Sequence, residues 1–256
     1  MRDDDAVARV VQITDTHLGT AEGRPPLWDG LAAWLTASPP DLLVHTGDAV
    51  LLDPDDDVDR ALAKALVDEL VTGTGVPLVV IPGNHDVGFF DEPAALPDRL
   101  AAFRRTWHAD TFAVDLDGWR LVGVDVYRLG EADHDDWLRH AVAVDGPVAV
   151  FIHQPLRGDP VDGWEVPAAV TRAFDDCVAG ADIRVVASGH RHCAATIDGP
   201  AHRAVWAPST RFVGDPGDPP AGAEDVDPRL GVLEHTFHED GRHVHRVLRP
   251  WECLPG

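Results

Sequence analysis

Positive charge is scarce in this chain: 21 Lys and Arg stand against 44 Asp and Glu, leaving a formal net charge of −23 and a pI near 4.7. Such a surface repels polyanions, and duplex binding needs a basic footprint to displace condensed counterions, so extended nucleic acid is not an expected partner. Small anions stay within reach, because a bound metal ion reverses the potential inside one pocket. Apolar runs are short as well. No stretch of about 18 apolar residues occurs, so no membrane span is expected. The start, Met1-Arg2-Asp3-Asp4-Asp5, lacks the cationic and apolar segments of a secretory signal, and the expected location is the cytoplasm. Cysteine is limited to Cys177, Cys193 and Cys253, without C-x-x-C spacing, which argues against a disulfide framework or a thiolate zinc site and for reduced thiols. Asparagine occurs once, at Asn84.

What is present is ordinary globular material: 256 residues, 45% hydrophobic and 25% charged, enough to bury one sizeable core. Short β-branched runs alternate with amphipathic stretches, the pattern of an α/β domain. Strands are predicted at 7–13, 42–46, 78–81, 119–124, 148–152 and 183–187, and helices at 28–36, 58–71, 97–107, 133–142 and 166–178. Asp55, Asp56 and Asp57 fall where a helix N-terminus favours negative charge. Beyond residue 190 the pattern is β only, at 194–197, 205–207, 231–237 and 243–248, the last two as a hairpin, and the Gly, Pro and Asp-rich stretch 214–228 reads as a loop. No internal repeat is visible. The β tail is too short for its own core, so a single domain over 1–256 is expected, with metal motifs in 15–192, a β-rich part at 193–250, and two sheet layers with helices outside.

Chemistry-bearing residues gather directly after strands, where loops at the carboxyl ends of a sheet collect ligands. Asp15-Thr16-His17, Gly47-Asp48, Gly83-Asn84-His85-Asp86, His153-Gln154-Pro155 and Gly189-His190-Arg191-His192 all supply oxygen or imidazole donors. By composition an Asp-x-His triplet is expected roughly twice by chance, Gly-His-x-His roughly 0.07 times and Gly-Asn-His-Asp on the order of 0.001 times. Their joint occurrence after successive strands fits a two-metal centre, in which cations about 3.5–4 Å apart share one bridging carboxylate and take mixed imidazole and oxygen donors. Asp48 is the natural bridge. Asp15 with His17, and His190 with His192, are two residues apart, and strand alternation would turn each pair toward one face. The neutral Asn84 carboxamide limits the negative charge around the ions, and the turn after Gly83 presents His85 beside them.

This constellation resembles the calcineurin-like metallophosphoesterase superfamily, with the match running from Asp15 to His192. The resemblance implies a four-layer αββα sandwich with two mixed β-sheets. It implies one metal held by Asp15, His17, Asp48 and His192, and another held by Asp48, Asn84, His153 and His190. His85 would act on the leaving group, Asp86 would orient His85 or the turn, and Asn84 and His85 would contact substrate. The segments Gln12 to Leu18, Pro40-Asp41-Leu42 leading into Thr46-Gly47-Asp48, and Ala207-Pro208-Ser209-Thr210 are similar to the class III cyclic-nucleotide phosphodiesterases. After Asp48 the chain departs from these relatives, with Ala49-Val50-Leu51-Leu52 where an Asp or Asn often follows. No tyrosine stands there either, unlike the purple acid phosphatase branch.

The expected activity is hydrolysis of a small phosphodiester such as a 3′,5′-cyclic nucleotide, using two transition-metal ions, with manganese, iron, zinc and cobalt all compatible. Alternatives are a nucleotide pyrophosphatase or phosphomonoesterase on the same centre and, from another class, a non-catalytic protein-binding scaffold. The pocket wall is expected at 89–96 and in the loop after Ser209. Other residues read as ordinary structure: His45 as a packed or hydrogen-bonded histidine, His243 and His245 as a solvated strand edge, Cys193 as a buried thiol, and Arg157, Arg191 and Arg211 as surface arginines, with a bidentate grip on phosphate as the alternative for these three. Trp164 and Trp206 are the tryptophans considered for stacking on a base. The sequence does not decide between a monomer and a homodimer.

Overall fold

The computed structural model describes residues 5–21, 23–156, 166–214 and 222–252; Arg157, Trp164, Cys253 and the middle of the 214–228 stretch lie outside them. Its strands are β1 (Ala6–Ile13), β2 (Leu42–His45), β3 (Leu78–Val80), β4 (Phe112–Leu116), β5 (Trp119–Gly123), β6 (Val148–Phe151), β7 (Ile183–Ser188), β8 (Ala194–Asp198), β9 (Arg203–Trp206), β10 (Ala223–Asp227), β11 (Val232–His238) and β12 (His243–Leu248). The helices are α1 (Trp28–Ala37), α2 (Asp57–Val71), the single turn α3 (Asn84–Val87), α4 (Leu96–Trp107), α5 (Ala132–Val142) and α6 (Ala168–Cys177). Every strand and helix expected from the sequence is there, with ends moved by one or two residues. Two strands were not expected. β4 pairs antiparallel with β5, and β10 lies inside the stretch read as a loop, where pairing with β8 prevails over the turn-forming composition. Asp56 caps α2, its Oδ1 accepting from Val58 N at 2.8 Å and Asp59 N at 3.1 Å.

Two mixed sheets form, one ordered β12-β11-β1-β2-β3 and the other β10-β8-β9-β7-β6-β5-β4. Side-chain alternation explains how they stack. Leu42 and Val44 of β2, Leu121 of β5, Ala149 and Phe151 of β6 and Val185 of β7 belong to one buried cluster with Leu233 and Phe237 of β11, which is the layer between the sheets. Their neighbours Leu43, Val122, Val148, Val150 and Val186 point the other way and join Trp28 and Leu31 of α1, Leu66 of α2, Phe103 of α4, Leu138 of α5 and Phe174 of α6. Helices therefore cover the outer faces, giving the four-layer αββα arrangement. Each fully buried side chain of this size is worth about 1.5–3 kcal/mol against exposure.

Polar bonds also cross between the sheets. Gln12 of β1 donates through Nε2 to Thr46 Oγ1 at 2.9 Å and to the Ser188 carbonyl at 3.2 Å, and Trp119 Nε1 donates to the His238 carbonyl at 3.0 Å. β1, β2 and β3 run parallel with Ile13, His45 and Val80 in register, and β5, β6, β7 and β9 run parallel in the other sheet. Each set thus ends its strands at one edge, and the five sequence motifs follow those ends.

Candidate metal centre

The motif loops are tied to one another by backbone bonds before any side chain is considered. Asp15 N donates to the Gly47 carbonyl and His17 N to the Asp48 carbonyl, both at 3.0 Å, and Gly189 N donates to the His153 carbonyl at 2.9 Å. The donors do not leave their strands by simple alternation, as the two-residue spacing suggested. Asp15, His17, Asp48, His190 and His192 have φ between 43° and 68°, making up five of the eight non-glycine residues with positive φ among the described residues. Each such residue costs on the order of 1–3 kcal/mol, and strain of this kind collects where function over-determines the backbone. The left-handed turns converge the side chains.

The glycines of the motifs follow from close approach. A Cβ on Gly83 would collide with Oδ1 and the backbone nitrogen of Asp48, and one on Gly189 would collide with Thr14 Oγ1 and lie 2.7 Å from Asp15 Oδ2. Asp86 is buried and accepts from Gly83 N at 2.9 Å and from Ala49 N and Val50 N at 3.1 Å, so of the two roles expected for it, the hydrogen bonds support orienting the turn. Burial and the nearby Asp48 push its carboxyl up to about 6. His45 is fully buried, accepting from Gly47 N through Nδ1 at 3.1 Å and facing Thr16 Oγ1 through Nε2 at 3.0 Å; it fastens the first two motif loops together.

Three groups of donors lie with all their ligand atoms within 4.8 Å of one another: Asp15, His17 and His192; His17, Asp48 and His85; and Asp48, His153 and His190. Asp48 Oδ2 is 3.3 Å from His153 Nε2, 3.9 Å from His17 Nε2 and 4.0 Å from His85 Nε2, so one carboxylate reaches both sets. Asp15 Oδ1 is 3.3 Å from His192 Nε2, and Asn84 Oδ1 is 3.0 Å from His153 Nε2. All seven expected ligands are therefore brought together, with His85 at their open side, its side chain 26% exposed.

The donor chemistry fits cations. His17 Nε2 and His192 Nε2 face each other at 3.0 Å, His190 Nδ1 faces His153 Nε2 at 3.2 Å, and Asp15 Oδ1 is buried without a hydrogen bond. Imidazole nitrogens that meet around carboxylates want a shared positive centre. Burial, against the pull of Asp48, lowers His17 to about 4, and burial with the neighbouring His153 lowers His190 to about 3, so both offer lone pairs. Burial also opposes charge on His153, yet Asp48 outweighs it and pushes that imidazole up to about 9. Asp48 itself is held well below the usual carboxylate range, since His153 overcomes the cost of burial. At Gln154, Nε2 lies 3.4 Å from His190 Nε2 while Oε1 is buried without a partner. An amide turned over would accept from His190 Nε2–H and leave Nδ1 as a ligand.

Around the centre, the expected pocket wall supplies two exposed rings. Phe212 lies 5.2 Å from the His17 ring and 6.3 Å from that of His192, and Phe89 lies 6.4 Å from that of His85. Tyr127, which no sequence motif singles out, packs tilted against Phe90 with ring centroids 4.9 Å apart and has a buried hydroxyl without a partner among the described residues. The signal for it was available, since it is the only tyrosine in the chain and follows the end of β5. Trp206 is 3% exposed, and this burial rules it out as a stacking platform; the Arg191 guanidinium lies 5.6 Å from its ring. Cys193 is a buried free thiol whose pKa burial raises to about 11. β12 is the edge strand of its sheet, as expected, but His243 and His245 are half-buried on it rather than solvated: His243 Nε2 is 3.0 Å from His235 Nδ1, and His245 Nε2 is 2.9 Å from Thr196 Oγ1 on the other sheet.

Comparison with known proteins agrees with this arrangement. The family model described as calcineurin-like phosphoesterase matches residues 8–194. A Bos taurus protein named serine/threonine-protein phosphatase CPPED1 is 31% identical over 134 residues, covering 46% of this chain and 42% of the bovine one, so the likeness spans less than half of that relative's length. A protein of Fibrobacter succinogenes named probable cyclic nucleotide phosphodiesterase is 25% identical over 247 residues, covering 89% of this chain and 90% of the other. The crystal structure of a dimetal phosphatase from Danio rerio shares the fold, with a TM-score of 0.66 at 15% identity over 95% of this chain and 96% of that one. No helix among the described residues is long and apolar enough to cross a membrane.

Proposed function

We propose that this chain, which belongs to the calcineurin-like phosphoesterase family, hydrolyses small phosphodiesters at a two-metal centre of Asp15, His17, Asp48, Asn84, His153, His190 and His192. The observation that carries the reading is the reach of Asp48 Oδ2 to His153 at 3.3 Å and to His17 at 3.9 Å, which suits a carboxylate shared between two cations. When bound, two transition-metal ions, with manganese, iron, zinc or cobalt suited to these ligands, supply Lewis acidity toward phosphoryl oxygens and acidify water near neutral pH.

The chain's own residues do the rest. Asp48 Oδ1 accepts from the His85 backbone N–H at 2.8 Å, which fixes the turn that carries the imidazole. His85 holds a proton and delivers it to the departing alkoxide oxygen as the old P–O bond breaks and water oxygen forms the new one on the opposite face of phosphorus. The Asn84 side-chain N–H donates to a non-bridging phosphoryl oxygen. Asp86 keeps the turn in place through its three backbone contacts. Buried, left-handed ligand loops supply the preorganisation that such chemistry needs.

Within diesters, a 3′,5′-cyclic nucleotide such as cyclic AMP is the first candidate, supported by the likeness to the Fibrobacter protein along nearly its whole length and by a net charge of −23 that disfavours polymers. Monoester hydrolysis is the second reading, favoured by the name of the bovine relative. A binding scaffold has no need of this complete donor set. The test is turnover of cyclic nucleotides, nucleoside diphosphate esters and monoesters, with manganese, iron and zinc supplied in turn. Hydrolysis of cyclic AMP or another small diester is expected, and turnover of monoesters alone would overturn the diester reading.

A further inference from the structure

Large apolar side chains are exposed at only six positions among the described residues, and three of them, Phe89, Phe212 and Val213, stand on the two loops that flank the donors. Phe89 is 53% exposed, and Phe212 is 39% exposed even with the Arg211 guanidinium 5.8 Å from its ring centroid. Neither is a loose tip. Ser209 Oγ donates to the Asp15 carbonyl at 2.8 Å and accepts from Phe212 N at 3.0 Å, so the backbone that carries Phe212 is pinned to the metal loop. Phe89 follows Gly88, whose N–H donates to the Asn84 carbonyl at 2.8 Å and whose φ of 94° sets the chain direction out of α3. From Phe89 to His85, from His85 to His17 and from His17 to Phe212 the ring centroids are 6.4, 4.7 and 5.2 Å apart, so the two phenylalanines stand at opposite ends of a file of rings across the centre. Exposing two such rings beside a polar pocket has a cost in water that a ligand repays by covering them.

Charge narrows what that ligand part is. The chain has 21 cationic side chains against 44 anionic ones, so a polyanionic arm finds little to hold it, whereas a flat uncharged ring stacks on phenylalanine without needing a cation. Resting on the phosphoesterase reading, we propose that Phe89 and Phe212 form an aromatic subsite that selects phosphoesters whose organic part carries a planar ring of nucleobase or aryl type. Phe89, beside the proton donor His85, faces the leaving group, and Phe212, over His17 and His192, faces the part retained on phosphorus. Stacking of this kind changes affinity by roughly five- to a hundredfold per ring.

The experiment uses two ligands that cannot be hydrolysed, phenylphosphonate and methylphosphonate, titrated by calorimetry into manganese-loaded protein. Phenylphosphonate is expected to bind about tenfold or more tightly than methylphosphonate. Phe89→Ala, Phe212→Ala or the double variant should remove most of that preference while leaving methylphosphonate affinity within about twofold, with Phe→Leu variants retaining only part of it. Equal affinity for the two ligands in the parent protein, absence of binding by either, or equal weakening of both in the alanine variants would overturn the subsite. Turnover is measured separately. A ring preference without hydrolysis of any ester would leave the subsite standing and remove the phosphoesterase reading, and hydrolysis without a ring preference would do the reverse.

Discussion

Histidines cluster twice in this fold: burial lowers His17 and His190 at the strand ends just as it lowers the hairpin histidines, but only at the strand ends does a carboxylate raise any imidazole. At the strand ends, His153 stands 3.3 Å from Asp48 and His192 stands 3.3 Å from Asp15, and both imidazoles are raised because a carboxylate outweighs the cost of burial. On the hairpin, His235 meets His243 at 3.0 Å and Gln12 Oε1 at 3.0 Å, and His245 meets Thr196. All three of these imidazoles are lowered, by burial first, and His243 falls to about 3. Histidine alone therefore does not make a cation site. Carboxylates held among the imidazoles do, and strained loops are needed to hold them there.

The sharpest way to break that contrast is to remove the shared carboxylate. Asp48→Ala should empty both metal positions and take activity below detection, because Asp48 Oδ2 is within 4.0 Å of His17, His85 and His153. Metal analysis after reconstitution checks this against about two ions per chain in the parent; a variant that still binds two would show that the imidazoles suffice. Next in size is His85→Ala. A general acid contributes about 10²–10⁴-fold, and the loss should fall on esters with poor leaving groups and spare an activated nitrophenyl diester, with metal content unchanged. Equal losses on both esters, or lost metal, would make His85 a ligand instead.

How much of this was legible in the sequence follows the same contrast. The centre could be read because its residues are contiguous within motifs and each motif follows a strand, as with Asn84 between Gly83 and His85. Its backbone could not be read so well. Spacing suggested strand alternation for Asp15 with His17, and the left-handed turns that converge them depend on contacts such as Thr14 against Gly189, which are far apart in the chain. The hairpin failed for a related reason. His243 and His245 alternate with exposed Arg242, Val244 and Arg246 on an edge strand, a pattern that does not reveal His235 and Thr196 as the partners of their imidazoles. β10 was hidden too, because only its pairing with β8 makes a strand of an acidic Gly-rich stretch.

Acid should reveal the cost of the buried hairpin imidazole at His243. The unfolded chain takes up a proton at His243 near pH 6.5, while the folded protein refuses it down to about 3, so this contribution to stability is present above pH 6.5 and is lost progressively as pH falls toward 3. The slope is at most about 1.4 kcal/mol per pH unit for one histidine, or about 2 kcal/mol by pH 5. Urea unfolding of metal-free protein between pH 7.5 and 5 should show the parent losing stability faster than His243→Gln by about that amount. Parallel curves would mean that His243 titrates freely and that its imidazole is solvated, as its sequence suggests.

The smallest effect expected tests whether the hairpin serves the centre or only the fold. Thr196→Val keeps the shape of a β-branched side chain on β8 and deletes the hydroxyl that meets His245 Nε2 at 2.9 Å across the two sheets. A hydrogen bond of this kind is worth about 0.5–1.5 kcal/mol, somewhat more if the imidazole is left without a partner, and His245 Nδ1 already lacks one. Stability should therefore fall by about 1 kcal/mol in urea. Metal content and kcat/KM should not move, because the hairpin approaches the centre through His235 and Gln12, whose contacts with Thr46 and Ser188 do not include Thr196. A matching fall in metal content would instead join the two clusters into one hydrogen-bonded system, with Gln12 transmitting the position of β12 to the loop that carries Asp48.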